Sequence, residues 1–560
     1  MSGSAIKYVV PRDDNTFLVS PQSHDWRGVL ERNAELAAGY PDWVINLRHK
    51  VRSEVLRIAG IGECLTPLIV GGHQPELFHP GVWFKNFVLN RLASNLQCLS
   101  LHVLIDHDVV RDIELAVPTI RAGRLALTTQ RLPTSQDGAF IPWENTRCSH
   151  TLLQQWKESS NGIIKALNQL GIQPLLETRW DECERLLKEC KTFAQVTSQL
   201  RQVIEKDAGL VNSEVPMSRL AMGDAFAEFV FRCFDEVERL PEVYNLSRDS
   251  FRAERGITNP GQPVPELRRV GDWTETPFWI YHTPEVAKTV GSNSHFRQPA
   301  WMRLTSQEIE LSSAPTESAS IRLSYNRNIS HWSQQYQSWT EQGVCIRPRA
   351  LMTTLFLRLF VGDLFVHGIG GGIYDELTDL IAKQLWKIEM PAFIVASASL
   401  HLPFGPDAIA SVKSLEGQSA EDFARLARRI RSAPESLLDQ SDPDQRAQKK
   451  AFENLLRRLP PKGQRKSWHR EMRELRVRIR KSISGVIDRL ERQSLELIER
   501  TRVGKIVRSR EFSFALFPEN PTTSRLRALA EHSVCTECSS RESGSKLKDG
   551  ETSTLAAKEC

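Results

Sequence analysis

The sequence predicts an α/β fold: a Rossmann-like parallel sheet core, discontinuous in sequence, with a helical insertion and a C-terminal coiled-coil arm. Three observations carry this. Leu68-Ile69-Val70 is a short apolar run stopped by Gly71-Gly72 and followed by polar residues and an amphipathic stretch, the pattern of a buried strand feeding a helix start. Leu364–Val366 repeats the layout before the glycine-rich turn His367–Gly372. Near the C-terminus, Met472, Leu475, Ile479, Ile483, Val486, Leu490 and Leu497 step by three, four or seven, an a/d-like seam.

Composition bounds the class. A chain of 560 residues is long enough for two or three units. Its 40% hydrophobic and 25% charged residues are those of a soluble globular protein, and a net charge of +5 is small for the length. The start, MSGSAIKYVV, lacks the basic-then-apolar order of a signal peptide, and no run of about 18 apolar residues predicts a membrane span. Ten scattered cysteines without a secretory signal predict reduced thiols and a cytoplasmic protein.

Residues 1–150 read as the first half of the core. Two helices, around Trp26–Ala37 and over Trp43–Ile58, flank the strand at Leu68–Val70; helix Val82–Leu96 leads to strand Leu99–Ile105, which ends in Asp106-His107-Asp108. Strand, turn, helix and strand make a βαβ unit with parallel strands. Polar residues at the C-terminal ends of such strands face the crevice where ligands bind, so the two clusters converge on one edge. Residues 151–250 read as a helical insertion, and residues 251–345 as a mixed connecting segment with strands Phe278–Tyr281 and Ile321–Tyr325. Residues 346–417 form the second half of the core: helix Ala350–Leu359, strand Leu364–Val366, the glycine turn, a helix from Tyr374 and strand Pro391–Ser397. Residues 418–510 read as the arm, two long helices joined at Pro460-Pro461-Lys462-Gly463. Residues 521–560 have the composition of a disordered tail.

Each polar cluster has a functional reading and a plainer one. Gly72, His73, Gln74 and His79 at a helix start suit phosphate binding through backbone N–H groups and imidazoles. The paired histidines loosely match the HIGH signature of nucleotidylyl-transferring enzymes, six residues apart here rather than three; the plainer reading is a glycine turn with surface histidines. Asp106, His107 and Asp108 suit a divalent metal, a general base or recognition of an amine, or else cap a strand end. His367, Gly370, Gly371 and Gly372 with Asp375 let a backbone approach a ligand closely. No Lys-Ser/Thr follows, so this is not a Walker A loop, and a tight strand-to-helix turn is the alternative. Arg347 and Arg349 clamp a carboxylate or phosphate, or are surface charge. Cys535, Cys538, His532 and Cys560 read as part of the tail, and no metal site is assigned. Over Pro461–Arg510, 16 Lys and Arg stand against 6 Asp and Glu. That stripe reads as the solvated face of a coiled coil rather than a nucleic-acid surface.

In their order along the chain, GHQPELF at Gly72–Phe78, Asp106-His107-Asp108, Arg347-Pro348-Arg349-Ala350 and HGIGGGIYDELTD at His367–Asp379, followed by the arm, resemble the cysteine-adding enzymes of bacillithiol biosynthesis, the BshC family. The resemblance covers residues 67–110 and 345–510; His73 stands where the family has Gln, and Glu76 where it has a small residue. It implies a Rossmann-like core, dimerisation through the coiled coil, and a ligase step joining cysteine to the amine of glucosaminyl-malate. On that reading His73, Asp106, His107 and Asp108 carry the chemistry by holding charge, orienting an amine or acting as base. Gly72, Gln74, His79, Arg347, Arg349, His367, Gly370, Gly371, Gly372 and Asp375 bind the small-molecule substrate or a nucleotide. The cofactor stays open, with ATP or ADP the candidate. Nucleotidylyl transfer and a non-catalytic nucleotide-binding scaffold dimerising through the arm are the alternatives.

Overall fold

Leu68, Ile69 and Val70 are buried on both faces of their strand, as a continuous apolar run in a parallel sheet requires. A computed structural model of the chain describes residues 8–21, 25–110, 113–134, 141–258, 264–290, 294–305, 308–316, 319–326, 329–406 and 420–534. In chain order its strands are β1 (Thr16–Ser20), β2 (Leu68–His73), β3 (Leu99–Leu104), β4 (Ile113–Arg121), β5 (Arg124–Leu132), β6 (Ser213–Pro216), β7 (Arg269–Val270), β8 (Trp273–His282), β9 (Gln298–Leu304), β10 (Glu308–Ser312), β11 (Arg322–Asn326), β12 (Val344–Pro348), β13 (Leu364–His367) and β14 (Phe393–Ser399). The molecule is mixed α/β.

The first sheet runs β1-β14-β13-β2-β3-β6. Its five strands from β14 to β6 are parallel, and β1 closes one edge antiparallel to β14. From β2 the chain crosses through helix Pro80–Leu96 to β3 on one side; from β13 it crosses through helix Ile369–Trp386 to β14 on the other. The direction of progression therefore reverses between β2 and β13. Such a reversal leaves a crevice at the C-terminal strand ends, which is where sheets of this kind take ligands.

Residues 151–250 are helical but not only an insertion, because they also supply β6, the far edge of the parallel sheet. The apolar pattern hides this strand: it is four residues long and carries Glu214, whose carboxylate is buried against Arg201 and His102. Residues 251–345 build a second, antiparallel sheet, β11-β10-β9-β8-β12 with β7 on β8. Arg347 and Pro348 belong to this sheet through β12 and not to the parallel one. Phe226, Phe229 and Phe234 pack on Phe278 of β8 and on Phe356 and Phe360, so one apolar core joins both sheets. Residues 521–534, which read as tail, belong instead to helix Glu519–Val534, which buries Leu526, Leu529 and Val534 and packs on helix Pro80–Leu96. Residues 535–560, with Cys535, Cys538 and Cys560, lie outside the described residues.

The chain divides into two compact units: Met1–Thr119, Thr128–Leu402 and Arg510–Cys560 in one, Ile120–Leu127 and Pro403–Ser509 in the other. Where two long helices are expected, the described residues of the second hold Ala420–Ser432, Pro443–Arg457, Lys466–Ser482 and Ser484–Val507. The seam breaks at Ile483, whose φ of −111° and ψ of 19° leave the helix. Met472, Leu475, Ile479 and Ile483 are buried, whereas Val486 is exposed and Leu490 and Leu497 are half-buried.

Candidate functional site

A cavity of about 630 Å³ opens at the crevice between the ends of β2 and β13. Four neighbouring parallel strands deliver side chains to it: Ser397 from β14, His367 from β13, Gly72 and His73 from β2, and His107 and Asp108 beyond β3. The antiparallel sheet adds Trp279 and, beyond its strand ends, Arg297 and Arg349. Arg510 and Glu511 complete the lining.

Ten of the sequence-identified residues line it: Gly72, His73, Gln74, His79, His107, Asp108, Arg349, His367, Gly370 and Gly371. Four do not, each for a local reason. Asp106 accepts hydrogen bonds from the Ser218 N–H at 2.8 Å and its hydroxyl at 2.5 Å; burial, then the charge of Glu144, lifts its carboxyl to about 7. Arg347 is buried in a two-pronged ion pair with Glu144, at 2.9 and 3.0 Å. Gly372 lets its helix approach the sheet, since a Cβ there would lie 2.3 Å from Val395 Cγ2. Asp375 sits behind His367, its Oδ2 2.7 Å from Nε2 and 2.6 Å from Arg358 Nη1.

The two glycine turns do different work. Gly72 is required by strand packing: a Cβ would come 2.7 Å from the Val103 carbonyl oxygen. The helix that follows is closed to ligands at its start, because His79 Nδ1 accepts the Gly81 N–H at 3.1 Å and so caps it. Burial, only partly opposed by Glu511, takes the His79 imidazole down to about 4, so it caps as a neutral ring. The second turn is open. Helix Ile369–Trp386 starts at Gly368 with no side-chain cap, and Gly368, Ile369, Gly370 and Gly371 all line the cavity. Uncapped N–H groups at the positive end of a helix dipole form an anion cradle.

Lys85 faces the same space. It is buried, and its Nζ donates to the Gly72 carbonyl at 2.9 Å, the one hydrogen bond it makes among the described residues. Burial lowers its ammonium to about 8. Arg510 reaches in with Nη2 on Ser397 Oγ at 2.8 Å. Arg297 and Arg349 lie 4.3 and 4.2 Å from the Trp279 ring centre; Arg297 also pairs with Asp108 at 2.5 Å and Arg349 with Glu275 at 2.6 Å. Gln74 donates to Asp108 at 3.0 Å. Burial raises Asp108, but Arg297 and these hydrogen bonds outweigh it and hold the carboxyl below its usual range. Burial also drives His73 well below the usual imidazole range and His107 to about 4, so both rings are neutral at neutral pH.

Four cations and two carboxylates thus line the cavity. Sequence reading missed Lys85, Arg297, Arg510 and Trp279. Only Lys85 left a local signal: it is a lone lysine inside VWFKNFVL, a helix stretch with no polar face. Among the described residues no group of acidic, histidine or cysteine side chains is placed to hold a metal, and no helix is long and apolar enough to cross a membrane. No family model matches the chain, and no curated protein matches it.

Proposed function

We propose that this cavity binds a phosphate-bearing small molecule of the ATP or ADP kind and that the protein is a carbon–nitrogen ligase, joining an amino acid to an amine-bearing partner. The observation that carries the reading is the open start of helix Ile369–Trp386 sharing one cavity with the under-bonded ammonium of Lys85. Together they supply several N–H donors and a positive charge in a desolvated place, which suits phosphate oxygens. The motif order shared with the BshC family points to cysteine as the amino acid and glucosaminyl-malate as the amine. On this reading the sheet is a Rossmann-like core, Arg349 holds a carboxylate, and Asp108 orients the amine. His73 and His107 are neutral and hold no phosphate charge of their own. The protein works in the cytoplasm as a homodimer, with Val486, Leu495 and Ile498, exposed on helix Ser484–Val507, as contact points. Nucleotidylyl transfer draws less support, because His79 caps its own helix.

The test is calorimetry with ADP, ATP and inorganic pyrophosphate, then mass spectrometry of a reaction of cysteine, ATP and glucosaminyl-malate. Saturable nucleotide binding that weakens at least tenfold in Lys85→Met, with amide formed, is the expected result. No binding of any of the three anions would overturn the reading, and binding without product would leave the scaffold alternative.

A further inference from the structure

We propose that His367 is the catalytic base of this site, accepting at Nδ1 the proton of the attacking amine, with Asp375 as the positioning residue that aims it. This rests on the amide-forming reading above.

The acids and bases that the motifs suggest are otherwise engaged. Asp106 is tied to Ser218, and Asp108 to Arg297 and Gln74. His107 has Nε2 3.4 Å from Thr353 Oγ1, and its Nδ1 is buried without a partner. His73 Nδ1 lies 3.2 Å from the Gln74 carbonyl, and among the described residues no carboxylate is hydrogen-bonded to its ring to stabilise a gained proton. His367 is built differently. Asp375 is an ionised carboxylate, fully buried and fixed by Arg358, and can only accept. His367 Nε2, at 2.7 Å from it, therefore carries the hydrogen, and Nδ1 carries the lone pair. The ring is held by Phe365 and Phe393, at centroid distances of 4.4 and 5.0 Å. Its Nδ1 side is kept clear by a glycine: a Cβ on Gly371 would stand 2.9 Å from Nδ1. The basic nitrogen thus lies beside the helix start that receives the phosphate. A carboxylate–imidazole pair with its free nitrogen at the substrate is the arrangement of a general base.

The step balances. The acyl donor is an acyl–phosphoric anhydride, formed when the carboxylate is activated by the nucleotide. The amine lone pair forms the new C–N bond. The C–O bond to phosphate breaks, and the phosphate oxygen takes that electron pair. The N–H proton passes to His367 Nδ1, and the imidazolium is stabilised by Asp375. Burial above all, then Arg358 and Lys85, oppose this charge, and Asp375 offsets them only in part, so the imidazole is held below its usual range.

The experiment measures steady-state turnover of cysteine, ATP and glucosaminyl-malate by wild type, His367→Gln, Asp375→Asn and Gly371→Ala, alongside ADP binding. Nitrogen-15 spectra of the histidine rings report the tautomer. The expected result is ADP affinity within about threefold of wild type in Asp375→Asn, whose side chain does not line the cavity, and kcat lower by about 10²–10⁴ in His367→Gln with KM little changed. Gly371→Ala, which keeps the imidazole but crowds Nδ1, loses turnover as well, so the proposal stays testable if His367→Gln fails to fold. Asp375→Asn loses turnover and shifts the tautomer. A wild type that forms amide while His367→Gln keeps more than a tenth of kcat, or a ring protonated at Nδ1, overturns this proposal alone. A wild type that forms no amide overturns the ligase reading and this proposal with it.

Discussion

A buried ammonium with a single carbonyl partner, as Lys85 has in Gly72, keeps two donors and a charge for something else. Its proton affinity records the cost. With the folded value near 8 and the ordinary value 10.5, both states are protonated below about pH 8 and the full penalty of burying charge is felt. Between about pH 8 and 10.5 the folded state sheds the proton first, so stability rises with pH by about 3 kcal/mol from this group. Urea titrations at both ends of that window should show this gain in wild type and lose it in Lys85→Met. Pyrophosphate affinity should fall as pH climbs through about 8, since the ligand then meets a neutral amine. Arg347 makes the opposite case. Its partner Glu144 also accepts from the Tyr281 hydroxyl at 2.5 Å, inside a buried network. Arg347→Ala strands that carboxylate and should cost about 3–5 kcal/mol in denaturant midpoints, a folding defect rather than a change in KM.

At the scale of elements, what was legible follows from how local each signal is. The strand–glycine–helix units around β2 and β13 are written in short apolar runs and breaks, and both are present. But β2 runs on through Gly71 and Gly72, and the second helix starts at Ile369, so Gly370–Gly372 lie in its first turn and not before it. Strand β6 is not, because its burial depends on Arg201 and His102 arriving from other elements. The same division holds in the site. His367 ends β13 and Asp108 lies just beyond β3, so both positions carry a local mark, whereas Gly370 lies in the first turn of the next helix. Arg297 and Arg510 come from loops distant in sequence, and nothing local marks them. His79 lines the cavity and also caps its own helix, and a helix-start histidine looks the same in sequence whether it caps or contacts a phosphate. His79→Ala should therefore cost about 1 kcal/mol of stability, His79→Asn much less, and neither should change ADP affinity appreciably. Gly72→Ala should destabilise by about 1–3 kcal/mol by forcing β2 and β3 apart, which thermal melts would show.

Across the whole molecule, the two units differ in what holds them. The larger rests on a core that joins two sheets and contains Trp332, and the same unit buries Trp83, Trp143 and Trp156. Among the described residues the smaller holds a cluster of Leu438, Leu475, Ile479 and Ile483, backed by partly buried neighbours such as Phe452 and Leu455. A cluster of that size supplies little surplus over the entropy of ordering the helices around it. The smaller unit should accordingly unfold first. In rising urea, part of the helical circular dichroism should be lost before the emission of the buried tryptophans shifts, because the smaller unit carries only the half-buried Trp468. Ile479→Ala removes its most buried side chain, should cost about 2–5 kcal/mol, and should move only the first transition. Coincident transitions by both probes, shifted together by Ile479→Ala, would instead mean that the two units unfold as one cooperative body.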